Sequence, residues 1–478
     1  MLDRIDKWID EHKQQIVDEL CAWVRIRSVA DAASAQEGQP FGAGCAQMLD
    51  YALASAREKG FETENHSGYC GSVYLGAQSA EIGIAAHLDV VPEGNDWAYD
   101  PYKGEVIGAG DGCPGYVVGR GSGDNKAMGV MGLYALMCAR DLGLPLRHRL
   151  RLMLGTCEES GMHDMKYMVA QSKRKSSGVR LPDVTLVPDA AFPVCYAQKG
   201  RMTVEILLQC GDDMLAFEGG SAANAVADRA LAVLRELDDM AIEELRLDKE
   251  VERIPHGVVV RAQGKAAHAA SPEGSVNAIG ALASALLETG ALQPETRRAM
   301  RAIKRLLSDN YGEGAGIACS DEPTGRLTFT GGMARFNAGR ITLTMDCRFP
   351  VTIDTNDLRA RLCVNLARMG AIIKRINMSS TFYMEESDPR VRVLTQAYRD
   401  VTGDEKTPNF TMGGGTYSKV LPNAITFGGS FPGERVPEGL LAPGHGYAHS
   451  PDEVMSIESL LKALKIYVYA LSKLDEIA

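Results

Sequence analysis

The chain has 478 residues, 45% of them hydrophobic and 24% charged, and this length exceeds one ordinary core, so two domains are expected. The formal net charge of -11 at pH 7 argues against a nucleic-acid partner, because binding phosphate needs a basic face. No stretch is long and apolar enough to span a bilayer, which predicts that the protein has no membrane partner.

The chain is predicted to begin with an amphipathic helix rather than a signal peptide. Leu2, Ile5, Ile9, Ile16 and Leu20 recur at helical spacing, and the segment lacks a continuous apolar core. The eleven Cys contain no C-x-x-C pair, so we interpret them as reduced core residues. These features predict a cytoplasmic protein.

Three short apolar runs, at 81–91, 148–157 and 184–187, predict buried strands, and helical patterns lie between them, most clearly at 127–140. This alternation is typical of an α/β fold with a mostly parallel sheet and helices on both faces. Polar side chains follow the runs: His87 and Asp89, Glu158 and Glu159, and Asp189. Because ligands bind at the carboxyl edge of such a sheet, we expect these side chains to lie together.

The middle of the chain has a different character. Strand-like runs at 201–210, 256–264 and 340–349 flank two predicted helices, at 224–237 and 277–287, which indicates an inserted α+β domain. A helix-rich pattern then returns and ends in a helix predicted at 456–474. The expected domains are therefore a first part at 1–198, an insertion at 199–382, and a second part of the first domain at 383–478.

Two acidic motifs point to metal chemistry. His87 and Asp89 lie two residues apart and share one face of a strand end, where a His ligates zinc well and a carboxylate can orient it. Glu158 and Glu159 would repel each other at a buried strand end unless a cation relieved them; one could ligate while the other acts as a general base. The alternatives are an ordinary polar pair and a solvated acidic pair at a helix N-terminus.

Weaker candidates complete the inventory. Asp124 follows glycines that alternate at 119, 121 and 123, a spacing that fits neither nucleotide-binding pattern, so a metal ligand at a helix start is preferred. Asp189 is a further ligand candidate, with an ordinary loop Asp as the alternative. His268, His445 and His449 lie near Gly and Pro loops, although a lone His is usually structural. No Gly-x-Ser-x-Gly elbow indicates a Ser hydrolase.

Eight segments, in chain order, carry a resemblance: HLDVVP, GRGSGDNKA, GTCEESG, VPDAAFP, GKAAHAASPEGSVNA, MDCRFP, GGGTYSK and AHSPDE. Their ordered set resembles the dinuclear zinc metallopeptidase family that includes carnosinase-like dipeptidases, acetylornithine deacetylase and glutamate carboxypeptidase. The size and the long insertion are most similar to the bacterial monomeric dipeptidases that act on Xaa-His and β-Ala-type substrates. The resemblance implies a zinc-exopeptidase-like catalytic domain with an inserted lid domain, and a monomer in preference to a homodimer.

The resemblance also implies a pair of zinc ions, which Mn²⁺ or Co²⁺ could replace. Asp124 would bridge both ions, His87 and Asp189 would complete one ligand set, and Glu159 and His449 would complete the other. Asp89 would orient His87. Glu158 would be the general base that deprotonates a water bridging the two ions.

The implied substrate is a dipeptide. His268, from the lid, would polarise the scissile carbonyl, and Asn224 would assist near it. Arg348 would hold the substrate carboxylate, because the guanidinium fork binds carboxylates bidentately. Gly414, Gly415 and Thr416 would offer backbone and hydroxyl contacts. The alternative activity is a deacylase or N-carbamoyl hydrolase of N-substituted amino acids with the same metal centre.

The sequence departs from the family pattern beside the bridging residue. Asn125 stands where a second Asp is common, in a peptide bond that is cis in relatives, and Ala127 stands where a Gly is common. Neither change removes a predicted ligand, so both bear on metal affinity more than on the class of reaction.

Overall fold

The computed structural model describes residues 1–110, 113–246 and 249–477. The chain divides into two compact units. The first unit comprises Met1–Tyr196, Met384–Phe410 and Thr416–Ala478, and the second comprises Ala197–Tyr383 and Thr411–Gly415. The domain limits expected after residues 198 and 382 stay a prediction.

The first unit is built on a sheet whose central strands are parallel. In spatial order the strands are Glu62–His66, Cys70–Leu75, Arg149–Gly155, Glu81–His87, Val184–Val187, Ala424–Phe427 and Val194–Gln198. Ile84 lies opposite Leu152 on one side and Leu186 on the other, in parallel register. The outer strands pair antiparallel. The predicted α/β class with a largely parallel sheet is confirmed.

Both faces of this sheet are covered because its strands are apolar on both sides. Ile82 and Ile84 join the larger core, which includes the N-terminal and C-terminal helices, whereas Ala85, the residue after Ile84, joins a smaller cluster on the opposite face with Met165 and Met168. The helices of this unit are Leu2–Val24, Ala43–Glu58, Lys126–Asp141, His163–Ser172, Pro389–Thr402 and Ile457–Leu474, with 3-10 turns at Ala32–Ser34 and Tyr417–Lys419. Within the described ranges, none of the helices has the length and apolar character needed to cross a bilayer.

Two small sheets accompany the main one and hold loops near its carboxyl edge. Val454–Ser456, Tyr116–Val118 and Glu105–Ile107 form an antiparallel three-stranded sheet, in which Val454 pairs with Val118. Ala190–Ala191 and Gly429–Ser430 form a parallel pair. These pairings connect late segments of the chain to the loops that carry the predicted ligands.

The second unit contains an antiparallel sheet with helices packed against it. Its strands, in spatial order, are Glu250–Ile254, Gly257–Gln263, Arg229–Leu234, Met214–Gly219, Thr328–Asn337, Arg340–Phe349, Gly200–Gln209 and Ile372–Met378. The helices are Asp239–Arg246, Ala278–Glu288, Pro294–Leu306 and Thr355–Arg368, and short strands lie at Ser320–Asp321, Gly325–Arg326 and Phe382–Tyr383. The predicted inserted α+β region is confirmed as an α+β fold.

One predicted helix of this region is wrong. The segment expected to be helical at 224–237 contains the strand Arg229–Leu234, in which burial alternates residue by residue. Its Ala and Leu content favours a helix by intrinsic propensity, but strands on both sides supply backbone hydrogen-bond partners. The helix predicted at 277–287 is confirmed as Ala278–Glu288, and the Asn277 side chain caps it by accepting from the Ile279 and Gly280 amides.

Candidate metal centre

Three loops at the carboxyl edge of the first unit's sheet bring acidic and histidine side chains together. His87 is the last residue of its strand, and Asp189 lies two residues beyond the strand Val184–Val187. Glu158 and Glu159 follow the strand Arg149–Gly155. The sequence signal was the same in each case, a polar residue directly after an apolar strand.

Asp124 lies at the centre of this group. It precedes the helix Lys126–Asp141, and its peptide bond to Asn125 is cis. His87 Nε2 is 3.0 Å from Asp124 Oδ1, whereas His449 Nε2 is 3.3 Å from Asp124 Oδ2. The two carboxylate oxygens of Asp124 therefore face two different histidines.

Further carboxylates lie on each side of Asp124. His87 Nε2 is 4.0 Å from Asp189 Oδ1, and His449 Nε2 is 2.8 Å from Glu159 Oε1. Donor atoms of His87, Asp124 and Glu159 lie within 4.8 Å of one another, as do donor atoms of His87, Glu158 and Asp189. These two overlapping groups have the mixed nitrogen and carboxylate character that suits zinc-class ions.

The electrostatics of the cluster show an excess of negative charge. Burial raises the pKa of Glu158 well above its usual range, and the nearby Asp189 raises it further. Burial also raises the pKa of the Asp189 carboxyl. Burial alone would lower the pKa of His87, but hydrogen bonds to Asp124 and Asp89 outweigh it and raise that pKa. A cation in the cluster would relieve the repulsion that produces these shifts.

His449 and His87 are held differently. His87 is buried, and its Nδ1 is 2.9 Å from the backbone carbonyl oxygen of Asp89, which leaves Nε2 directed at the cluster. His449 is half-exposed on a loop, and its hydrogen bonds to Asp124 and Glu159 raise its pKa to about 10. Both rings thus present Nε2 toward carboxylates.

Buried carboxylates fix the backbone of the loops that carry these residues. Asp89 accepts hydrogen bonds from the amides of Glu158 and Glu159, at 2.9 and 3.1 Å. Asp164 accepts from the amides of Thr156 and Cys157, at 2.7 and 2.8 Å. Sequence reasoning missed Asp164, because a helix-start Asp carries no signal of a distant partner.

The predicted residues of the second unit form a separate charged group. Arg348 is buried on the strand Arg340–Phe349, and its Nε donates to Asp346 Oδ1 at 2.6 Å, while its Nη1 donates to the Gly413 carbonyl oxygen at 2.6 Å. Arg201 lies opposite Arg348 on the neighbouring strand and donates from Nε to Asp346 Oδ2 at 2.7 Å. Two guanidinium groups thus share one carboxylate, and the sequence had indicated only Arg348.

His268 lies on a loop of the same unit. The Ala270 amide donates to His268 Nδ1 at 3.2 Å, which places the proton of the neutral ring on Nε2. Burial and the nearby Arg348 lower the pKa of His268, so the ring is neutral at pH 7. Asn224 is adjacent, because its backbone oxygen accepts from the Ala269 amide at 2.9 Å.

The Gly-rich turn divides between the two units. Gly414 and Gly415 belong to the second unit and Thr416 to the first. A side chain at Gly413 would meet Ala270 Cβ at 2.5 Å, so the turn passes close to the His268 loop. The Thr416 hydroxyl is buried and lies 3.0 Å from the Thr426 hydroxyl. Its predicted contact with a substrate stays a prediction.

A cavity of about 440 Å³ adjoins the cluster within the first unit. Asp124, Asn125 and Asp189 line one side, and Phe431 and Tyr447 lie among the residues of the late loops that line the other. Asn125 Nδ2 donates to the Pro188 carbonyl oxygen at 2.9 Å, which holds the two ligand-bearing loops together on the cavity wall. The cavity is large enough for a small organic group beside the cluster.

Comparison with known proteins places these features in context. Residues 83–473 match the model of the peptidase family M20/M25/M40. The candidate dipeptidase YtjP of Bacillus subtilis (strain 168) is 28% identical over 480 residues, covering 97% of each chain. A candidate dipeptidase of Staphylococcus aureus (strain MRSA252), SAR1836, is 27% identical over 493 residues, covering 98% of each chain.

Solved structures share the fold at low sequence identity. Human carnosine dipeptidase 1 has a TM-score of 0.58 at 14% identity, and the alignment covers 100% of both chains. The di-peptidase Dug1p of Saccharomyces cerevisiae has a TM-score of 0.59 at 13% identity, covering 100% of this chain and 99% of that one. These likenesses confirm the fold class expected from the sequence.

Proposed function

Because this chain belongs to the peptidase family M20/M25/M40, it is a hydrolase that acts on peptides, and we propose that it hydrolyses dipeptides at a pair of metal ions. One observation carries the proposal: the two oxygens of Asp124 face His87 and His449 separately, as a carboxylate bridging two ions requires. The relatives named as dipeptidases cover nearly the whole chain, which supports the choice of substrate.

Membership of the family implies bound metal ions, and the residues present fit them. His87, Asp124 and Asp189 would hold one ion, and Asp124, Glu159 and His449 the other. We propose Zn²⁺, with Mn²⁺ or Co²⁺ as substitutes, because imidazole and carboxylate ligands suit all three. When bound, two such ions polarise a carbonyl oxygen and make a shared water more acidic.

Glu158 is the proposed general base. Its side chain is buried, and its Oε1 has no hydrogen-bond partner in the described part of the chain. A buried carboxylate oxygen beside the proposed ligands suits a group that takes a proton from the attacking water and returns it to the leaving amine. Asp89 supports this role by holding the Glu158 and Glu159 amides rather than by touching the substrate.

The second unit is proposed to bind the rest of the substrate. The neutral His268 ring carries its proton on Nε2 and so can donate a hydrogen bond to the developing oxyanion, with Asn224 beside it. Arg348 and Arg201 carry one positive charge more than their shared Asp346 neutralises. That surplus suits the free carboxylate of a dipeptide. Gly414 and Gly415 would offer backbone contacts near this group. We propose that the two compact units are the catalytic and lid domains expected from the sequence.

The experiment that tests the activity compares three substrates. The purified protein, loaded with zinc, is assayed with a dipeptide, its N-acetyl form and an N-carbamoyl amino acid. We expect the free dipeptide to be cleaved fastest. Faster cleavage of either blocked substrate would show a deacylase or N-carbamoyl hydrolase with the same metal centre. Elemental analysis before the assay should find two metal ions per chain.

We propose a monomer in the cytoplasm. Light scattering on the eluting protein measures the oligomeric state, and fractionation of the producing cells measures the location.

A further inference from the structure

Glu453 is a buried carboxylate that none of the roles above uses. It lies four residues after His449 and is 1% exposed. Its Oε1 accepts hydrogen bonds from the amides of Gly123 and Asp124, both at 2.9 Å. Its Oε2 accepts from Arg120 Nη1 at 2.5 Å, and Arg120 is equally buried. The Glu453 side chain therefore bonds the backbone of Asp124, at the centre of the cluster, while Glu453 itself lies on the loop that carries His449.

The backbone of Glu453 is tied to the same segment. The Gly119 amide and the Ser122 hydroxyl both donate to its carbonyl oxygen, at 2.9 and 3.0 Å. The next residue, Val454, pairs with Val118 in the small antiparallel sheet. The loop of His449 and the loop of Asp124 are thus joined on both sides of Glu453.

The neighbouring Asp452 secures the other end of the late loop. It is fully buried and accepts hydrogen bonds from the amides of Ala98 and Tyr99, at 2.9 and 3.0 Å, and a hydrogen bond from the ring of His445 at 2.7 Å. Asp452 fixes its loop to the 97–100 region, however, and not to Asp124. Glu453 alone, among the described side chains of this loop, bonds the amides that precede the Asp124 carboxylate.

We propose that Glu453 is a positioning residue, which sets the separation between Asp124 and His449 by accepting the Gly123 and Asp124 amides. This inference rests on the metal centre proposed above. Arg120 orients the Glu453 carboxylate through the hydrogen bond from its Nη1, and its guanidinium lies over the Trp97 ring at 5.1 Å from the ring centre. Loss of the acceptor would free the Asp124 amide to move and spread the ligands that Asp124 and His449 supply.

The test compares two double variants, each of which replaces both charged side chains of the Glu453–Arg120 pair with uncharged ones. Glu453→Gln with Arg120→Met keeps an oxygen that can accept the two amides. Glu453→Leu with Arg120→Met has similar volume but no acceptor. The pair avoids an unpaired buried arginine, which would destabilise the fold by itself. Chelator-treated protein is titrated with Zn²⁺ against a chromophoric chelator, and the visible spectrum of the Co²⁺-loaded protein is recorded.

We expect the Leu variant to bind the more weakly held of its two zinc ions about 10- to 100-fold less tightly than the Gln variant does, which is the range for groups that orient metal ligands. Its Co²⁺ spectrum should also differ from that of the natural protein, whereas the spectrum of the Gln variant should not. Equal zinc affinity and equal spectra for the two double variants would overturn the proposal for Glu453.

A control at a second ion pair separates positioning from general loss of stability. Glu19 forms a partly buried ion pair in the first unit, with Lys59 at 2.7 Å, and accepts from Trp23 Nε1 at 2.7 Å. Glu19→Gln and Glu19→Leu, each with Lys59→Met, should differ in melting temperature but not in zinc affinity. If the natural protein itself takes up no zinc, the proposed metal centre fails, a result distinct from equal binding by the two Glu453 variants.

Discussion

At the carboxyl edge of the first unit, five carboxylates meet two histidines, whereas in the second unit two arginines share a single aspartate. The first group comprises Asp89, Asp124, Glu158, Glu159, Asp189, His87 and His449. The second comprises Arg201, Arg348 and Asp346. The first group has an excess of negative charge and the second an excess of positive charge.

This difference predicts what each group lacks. Buried like charges are costly unless an opposite charge joins them, so we expect the first group to bind cations and the second to bind an anion. Under the proposed function, metal ions would supply the positive charge that the first group lacks, and the carboxylate of a dipeptide would supply the negative charge that the second group lacks. Variants that remove one charge at a time therefore test the comparison directly.

The largest effect is expected at Glu158. Glu158→Gln keeps the shape of the side chain but removes the proton acceptor, so kcat should fall about 10²- to 10⁴-fold while two zinc ions remain bound. Activity and metal content are measured on the same preparation. Glu62→Gln, on an exposed edge strand of the same sheet, is the control. A variant that loses zinc together with activity would identify Glu158 as a ligand instead of the base.

A somewhat smaller effect is expected at His268, which belongs to the second unit, where the arginine group lies. His268→Ala removes the Nε2 donor, so kcat should fall about 10²- to 10³-fold, the range for an oxyanion donor, with zinc affinity unchanged. His256→Ala, an exposed histidine of the same unit, is the control. Normal turnover in His268→Ala would remove this residue from the reaction.

Much of the first unit could be anticipated because its signals are local. Each parallel strand is an apolar run, and the polar residue that follows it marks the carboxyl edge, as with His87 and Asp189. The local signals at Asp124 and His449 are weaker, and only the resemblance carried by the ordered set of motifs indicated these two residues as metal ligands. Local composition misled at 229–234, where an Ala- and Leu-rich segment became a strand because neighbouring strands paired with it.

Other contacts depend on pairing between distant segments, which no local pattern encodes. Arg201 faces Arg348 only because of the register between their two antiparallel strands. Glu453 stands within the quoted AHSPDE motif, yet its bonds to the Gly123 and Asp124 amides follow from the packing of two loops 329 or more residues apart. Asp164 is hidden for the same reason.

Arg201 allows a milder test of the positive group than the buried Arg348. The Arg201 side chain is 41% exposed, so Arg201→Gln should leave the fold intact while removing the surplus positive charge. We expect KM for a dipeptide to rise about tenfold, because a hydrogen bond to a charged group is worth about 1.5–3 kcal/mol. The matched substrate is the same dipeptide with an amidated C-terminus, and an equal rise in KM for that substrate would contradict the carboxylate assignment.

The smallest effect concerns a buried histidine with no excess of carboxylates around it. Burial lowers the pKa of His66 to about 4; Glu64 opposes the shift and Arg151 adds to it, in contrast to His87, whose pKa neighbouring carboxylates raise. The unfolded chain therefore takes up a proton on His66 near pH 6.5, before the folded chain does. The stability that this residue contributes is complete above pH 6.5 and is lost as pH falls toward 4, by about 2 kcal/mol.

Denaturant unfolding at pH 7 and pH 4.5 measures this loss of stability, and His66→Gln should reduce it. His163→Gln, at an exposed histidine, should leave it unchanged. If the free energy of unfolding depends on pH equally in His66→Gln and in the natural protein, the surroundings of His66 do not control its charge.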